Sequence, residues 1–335
     1  MRSVVGISGL QAREDVNTIN TILEQFRSLS KDQLQKGRLF ERMIAQFLRT
    51  DPQYANRLDA VWMWNEWPGR WKEDNTGIDL VAREKDTGNY WAIQCKFYEP
   101  GTPLKKEHIS SFLADSSKVF QVDGQEHTFA YRLIVSTSDK WGRNAEDVIQ
   151  DQSVPVGTLY LNELADSPVD WSAFSIDAPQ RMVLRQKKTL RDHQKEAIDA
   201  VLAGFETHDR GKLIMACGTG KTFTALRLAE KQVPTAGRIL FLAPSIYLVS
   251  QTLREWTAEA FNPFHAFVVC SDTKVGKEEE DIRTHDLAYP ATTDPQKLAR
   301  ALKQVSADRR IVVFSTYQSI QTVIDAQRIG ALDAF

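Results

Sequence analysis

At 335 residues, with 42% apolar and 26% charged side chains and a formal net charge of −2, the chain is long enough for two ordinary domains, each with its own core. No apolar run approaches the roughly 18 residues of a membrane helix, no secretory signal is read at the start, and the charge balance excludes a protein that binds nucleic acid through a global positive field. Cys95, Cys217 and Cys270 are widely spaced and form no C-x-x-C pair, so neither a disulfide framework nor a zinc site is expected, and the cytoplasm is the expected compartment.

Taken in order, apolar spacing predicts amphipathic helices over 15–29 and 37–48. Strand patterns follow at 60–67, 77–84 and 89–98, the last two joined across "KDTGN" as a hairpin. Next come a helix near 106–120, a strand at 130–137, a helix over 142–150 and a strand at 156–161. From 163 to about 188 periodicity is lost, which places a linker at 166–188 between a first domain, 1–165, and a second, 189–335. Helices at 191–203, 221–232, 246–260 and 295–305 then alternate with strands at 212–216, 238–243, 265–269 and 310–315. That alternation predicts a doubly wound parallel sheet. The polar stretch 271–294 reads as a surface insertion.

Along "NYWAIQCKFYEP" (89–100), Trp91, Ile93, Cys95 and Phe97 point one way and Tyr90, Ala92, Gln94, Lys96 and Tyr98 the other. The first set is a core face; the second puts an amide beside an ammonium. A turn at Thr87 and Gly88 brings Asp79 across from residues 94 to 96. One carboxylate, one amide oxygen and one ammonium then converge on the sheet. A carboxylate and a carbonyl oxygen suit a hard cation such as magnesium, and Lys96 suits charge building on a phosphate. The alternative is a solvated strand face, with Glu41 on the preceding helix pairing with Arg38 or Arg42.

The arrangement resembles the PD-(D/E)xK nucleases, and specifically the Mrr-type restriction endonucleases in which glutamine replaces the usual acid. The matching residues are Asp79 in "GIDLV" and Gln94 and Lys96 in "IQCK", and the element order matches over roughly residues 30 to 162. The resemblance implies catalytic roles for Asp79, Gln94, Lys96 and the helix carboxylate Glu41, with Mg2+ held by Asp79 and Gln94.

"LIMACGTGKTFTAL" (213–226) sets a Gly-rich turn between an apolar segment and a helix, so backbone N–H groups and the helix start can wrap a triphosphate. Gly218 and Gly220 allow the tight turn, Thr219 lies within it, Lys221 neutralises outer phosphates and Thr222 ligands magnesium. Met215 replaces the first glycine of the general P-loop, a form similar to superfamily 2 helicases. "LRDHQKEAI" resembles their Q motif, which implies Arg191 and Gln194 at the adenine of ATP. "ILFLAPSIYLVSQ" resembles motif Ia, with Ser245 at a DNA phosphate, and "VVFSTYQSI" a later motif, with Thr316 and Gln318 on the tracked strand. The acidic D-E-x-H strand of that family is expected beyond Phe335, so residues 1–335 are expected to hydrolyse ATP poorly.

A restriction-endonuclease-like mixed-sheet domain followed by a RecA-like lobe looks closest to the single-polypeptide Type ISP restriction-modification enzymes. The resemblance implies an ATP-dependent endonuclease acting on double-stranded DNA, a second copy of the enzyme for cleavage, and S-adenosylmethionine only if a methyltransferase domain follows. The competing expectation is a phage-defence helicase or remodeller whose nuclease-like domain only grips DNA; an RNA-directed helicase is a third.

Overall fold

A computed structural model describes residues 19–29, 32–71, 77–142, 145–149, 152–271 and 286–330. The chain divides into two compact units between Arg185 and Gln186, except that the later stretch ending at Ala291 folds with the first unit; the second resumes at Thr292.

The first unit begins with helix α1 over residues 19–29, the first turn expected for it lying outside the described residues. Helix α2 spans Gln33–Thr50 and is capped by Asp32, whose side chain accepts from the Leu34 N–H. A short helix α3, Pro52–Ala55, follows at once because Asp51 accepts from the Gln53 N–H and Pro52 sits at the first position. The sheet comprises β1 (Leu58–Met63), β2 (Leu80–Glu84), β3 (Tyr90–Lys96), β6 (Phe129–Ser136) and β7 (Val156–Tyr160), in that spatial order. β1, β2 and β3 are antiparallel neighbours, while β3, β6 and β7 run parallel. Between β3 and β6 lie helix α4 (Lys106–Asp115) and a small hairpin, β4 (Phe120–Val122) with β5 (Gln125–His127). Helix α5 (Ala145–Ile149) joins β6 to β7, and α6 (Leu161–Asp166) follows β7.

Central β3 is buried on both faces. Trp91, Ile93, Cys95 and Phe97 pack with Phe40, Met43, Ile44 and Phe47 of α2, as the alternation predicts. The opposite face is core as well: Tyr90 and Ala92 pack with Ile109, Phe112 and Leu113 of α4. Helices on both sides of a mixed sheet remove the half-solvated face that a lone hairpin would have.

Two expectations are corrected. The stretch 166–188 is not a loose linker: Val169, Trp171 and Met182 are buried in the α2-side core, and Asp170 and Arg185 donate backbone hydrogen bonds to Val183 and Pro168. The insertion expected at the surface over 271–294 is, within its described part, an interior element. Leu287, Ala288 and Tyr289 are buried. The Tyr131 hydroxyl donates to the Leu287 carbonyl at 3.1 Å, the Tyr54 hydroxyl to the Ala288 carbonyl at 2.9 Å, and Arg57 Nη1 to Tyr289 Oη at 3.2 Å. Arg57 also pairs with Glu84 on β2 at 2.7 Å, and Glu84 accepts from the Trp91 indole at 2.9 Å. Burial pushes the Glu84 carboxyl up, but Arg57, Thr87 and Trp91 together hold it below its ordinary value. Polar composition concealed this element because its polar atoms are satisfied by partners more than 150 residues away.

The second unit holds α7 (Asp192–Phe205), α8 (Lys221–Gln232), α9 (Ile246–Glu259), α10 (Pro295–Gln304) and α11 (Ile320–Gly330) around a parallel sheet in the order β8 (Arg238–Ala243), β10 (Arg310–Thr316), β9 (Phe264–Val269). Phe314 packs with Phe241, Trp256 and Phe264 on one side, while Val313 joins Leu298, Leu302 and Val323 on the other. The strand expected at 212–216 does not form. Among the described residues no strand pairs with it, and Ile214 is 89% exposed; without a neighbour its ladder groups stay with solvent.

Tyr289→Ala is expected to destabilise the first unit by about 3 kcal/mol, through the cavity it leaves and a poorer setting for the buried Arg57 charge. Urea denaturation followed by tryptophan fluorescence would read this; an unchanged midpoint would show that the 286–291 segment is not structural.

Candidate nuclease site and nucleotide loop

Asp79 lies one residue before β2, where the chain is held from three directions. Its N–H donates to the Ile93 carbonyl at 2.9 Å, its carbonyl accepts from the Trp64 N–H at 2.9 Å, and its Oδ2 accepts from the Cys95 N–H at 2.7 Å. The hairpin register pairs Leu80 with Ile93, which sets Asp79 beside the 94–96 segment. Gln94 is 2% exposed; its Nε2 donates to the Gly77 carbonyl at 2.8 Å, and its Oε1 is buried with no hydrogen-bond partner. Gly77 is required by the approach of α4: a Cβ there would stand 2.3 Å from the Phe112 backbone nitrogen.

Glu41 on α2 and Lys96 on β3 share the electrostatic field of Asp79. Burial first, and Glu41 second, push the Asp79 carboxyl up to about 7, against the opposing Cys95 N–H and Lys96 ammonium. Glu41 is likewise raised by burial, with Arg38, Lys96 and Arg42 acting against the shift. Burial lowers the Lys96 ammonium, with Asp79, Cys95 and Glu41 opposing. The Cys95 thiol is raised well above its ordinary range by burial and then by the two carboxylates, which keeps it a packed thiol and not a nucleophile. The structure therefore brings Asp79, Lys96 and Glu41 into one field and ties Gln94, on β3, to the Gly77 carbonyl two residues before Asp79.

Among the described residues no group of three or more His, Cys, Asp or Glu side chains could hold a metal ion. The donors that fit a hard cation are a carboxylate and an amide oxygen. The fit rests on two features: the Asp79 carboxyl is buried beside a second carboxylate, Glu41, and the Gln94 Oε1 is an acceptor left without a donor.

The glycine-rich turn precedes α8. Gly218 and Gly220 have φ of 76° and 83°, and a Cβ on Gly220 would lie 2.5 Å from Gln194 Nε2. Gln194, on α7, clamps this loop: Nε2 donates to the Thr219 carbonyl at 3.0 Å and Oε1 accepts from the Arg191 N–H at 2.9 Å. His193 Nε2 lies 3.2 Å from the same carbonyl. These two bonds use one amide hydrogen and one lone pair of Gln194. Lys221 Nζ and the Thr219 hydroxyl both donate to the Ala216 carbonyl, at 3.2 and 2.7 Å, and the Thr222 carbonyl accepts from the Trp256 indole at 3.0 Å.

Ser245 caps α9, its Oγ accepting from the Leu248 N–H at 3.3 Å. Thr316, at the end of the central strand β10, is buried and its hydroxyl donates to Ser319 Oγ; Gln318 is exposed. Gly77, the clamp on Thr219 and the 286–291 segment were missed from sequence. Only Gly77, next to the "ID" of the quoted strand, left a local signal.

Residues 49–181 match the family described as restriction endonuclease, and residues 187–332 the family described as Type III restriction enzyme, res subunit. The solved structure of the ATP-dependent Type ISP restriction-modification enzyme LlaBIII bound to DNA superposes with a TM-score of 0.76 at 35% identity, covering 92% of this chain and 19% of that one. A probable helicase, A859L, of African swine fever virus (isolate Tick/Malawi/Lil 20-1/1983) is 28% identical over 81% of this chain and 34% of its own length. The Type I restriction enzyme EcoAI endonuclease subunit of Escherichia coli is 34% identical over 36% of this chain and 15% of its own length. The chain thus spans about a third or less of these relatives.

In metal-free buffer, Asp79→Asn is expected to raise stability on the order of 2 kcal/mol at pH 8. Folded Asp79 holds its proton up to about 7 while the unfolded carboxyl releases it near 3.8, so stability is full below the lower value and is lost as pH rises through the higher. Denaturation at pH 3.5, 5.5 and 8 would show the gain growing with pH; a gain independent of pH would refute the assignment. Gly220→Ala is expected to cost at least tenfold in ATP affinity, measured by nucleotide fluorescence, because it collides with the clamp on Thr219.

Proposed function

We propose that this chain, a nuclease unit preceding a helicase unit and similar over 92% of its length to a Type ISP restriction-modification enzyme, is part of an ATP-dependent, Mg2+-requiring DNA endonuclease of that kind, coupled to translocation along double-stranded DNA. The observation that carries the cleavage reading is the orphaned, buried Gln94 Oε1 on the strand whose Cys95 amide holds the Asp79 carboxylate. Asp79 and Gln94 would hold the cation, which when bound lowers the pKa of water and offsets charge on the phosphate. Lys96 stabilises the negative charge that builds on the phosphoryl oxygens, its partial burial strengthening that attraction. Glu41, raised by burial, is the carboxylate of the same field suited to accept the proton released as water attacks.

In the second unit, the 216–222 loop with Lys221 and Thr222 takes the ATP phosphates, and Arg191 and Gln194 lie toward the base. Ser245, Thr316 and Gln318 serve the DNA backbone, Thr316 from the buried end of β10. Cleavage by two copies meeting on DNA, and S-adenosylmethionine binding by a following methyltransferase, are properties proposed for the complete protein. A mere gripping role for the first unit is disfavoured because a solvated binding face gives no reason for an unpaired buried amide oxygen.

In the complete protein, Asp79→Ala and Lys96→Ala are each expected to reduce DNA cleavage at least a hundredfold while DNA affinity and ATP hydrolysis persist, and Lys221→Ala to abolish hydrolysis. Wild-type protein that consumes ATP on DNA without cutting it under any divalent cation would leave only the gripping role.

A further inference from the structure

β3 ends at Lys96, but the alternation of faces persists for two more residues: Phe97 joins the α2-side core and Tyr98 packs against the α4-side core. Tyr98 therefore extends the face that bears Gln94 and Lys96, and it meets His108 on α4. Tyr98 Oη lies 2.7 Å from His108 Nδ1, and the backbone N–H of Lys105 donates to the same nitrogen at 3.3 Å. A backbone N–H can only donate, so Nδ1 is an acceptor and the Tyr98 hydroxyl must donate to it too. The neutral ring then carries its proton on Nε2. Burial first, then Lys96, lower His108 below the ordinary imidazole range, against the pull of Glu107, which favours this neutral form. The side chain is 30% exposed, and Nε2 makes no hydrogen bond among the described residues; Glu107 Oε1, at 3.8 Å, is out of range and lies 3.7 Å from Lys105 Nζ. A fixed donor thus remains at a partly open position on the Lys96 side of the sheet.

A neutral imidazole N–H is too weak an acid to protonate a leaving alkoxide, so general-acid catalysis is not its role. It is a good ligand for a phosphate oxygen. We propose that His108 is a DNA-positioning residue: its Nε2–H binds a non-bridging oxygen of a backbone phosphate flanking the scissile one, with Tyr98 fixing the tautomer and the exposed Lys105 and Lys106 supplying positive charge. The inference rests on the nuclease reading of the same site and adds the group that sets where the DNA strand lies.

The test uses the complete protein and duplexes carrying a single methylphosphonate, scanned one phosphate at a time around the cut, read by both binding and cleavage. Wild type is expected to lose about tenfold at the one phosphate that His108 holds. His108→Ala loses the same factor on unmodified DNA and becomes indifferent to that modification. His108→Gln, whose amide N–H reaches about as far as Nε2–H, recovers much of the loss; Tyr98→Phe weakens without abolishing it. His108→Ala with wild-type activity, or with an unchanged methylphosphonate pattern, would overturn the proposal, and should that variant misfold, His108→Gln and Tyr98→Phe decide it alone. If wild type binds but never cuts, the nuclease reading falls while the binding scan still judges His108.

Discussion

The hydrogen bond from the Cys95 amide to the Asp79 carboxylate is the contact on which the first unit turns. A strand-edge N–H that would ordinarily serve a ladder is given to a side chain, and the β2–β3 register ends at Leu80 and Ile93. Just before it, the Asp79 N–H still reaches the Ile93 carbonyl, and two side chains complete the hold: Asp79 on the Cys95 N–H and Gln94 on the Gly77 carbonyl. Each of these four residues is also pinned by core or backbone. A carboxylate fixed this way stays out of solvent, so burial first and Glu41 second push its carboxyl up to about 7. The raised Asp79 carboxyl is thus a property of the fold: burial and a neighbouring carboxylate outweigh the Cys95 N–H and the Lys96 ammonium.

Tight packing supports that arrangement from both faces of the sheet. On one side α2 sets Glu41 next to an apolar row of Phe40, Met43 and Ile44. On the other, α4 comes so close to Gly77 that no side chain fits between them, and the same helix presents His108 to Tyr98. The polar groups at the end of β3 are therefore held by rigid elements instead of by loops, as a preorganised site requires.

The first unit is closed by residues that come more than a hundred positions later. The chain leaves β9, returns Leu287, Ala288 and Tyr289 to the core beneath Tyr54 and Tyr131, and resumes the second unit at Thr292. Tyr289 meets Arg57, Arg57 meets Glu84, and Glu84 binds the indole of Trp91, so a chain of contacts through Arg57 links the insertion to both strands of the hairpin. In the second unit the nucleotide loop is steadied by Gln194 from α7, while the segment leading into it, with Leu213 and Ile214 outward, forms no strand among the described residues.

What the amino-acid order determined by itself was whatever depends on neighbours close along the chain. The alternation of Trp91, Ile93 and Cys95, the helical spacing of α2 and α8, the turn that brings Asp79 to Cys95, and the glycines flanking Thr219 are all local rules of strand, helix and turn. Tertiary structure alone decided that both faces of β3 are core, that 166–185 packs instead of linking, that Thr316 is interior, and that Leu287 to Tyr289 complete a domain they do not adjoin. Those outcomes depend on which distant groups satisfy a polar atom or cover an apolar one. Burial and hydrogen-bond partnership across a fold are not written in the spacing of residues.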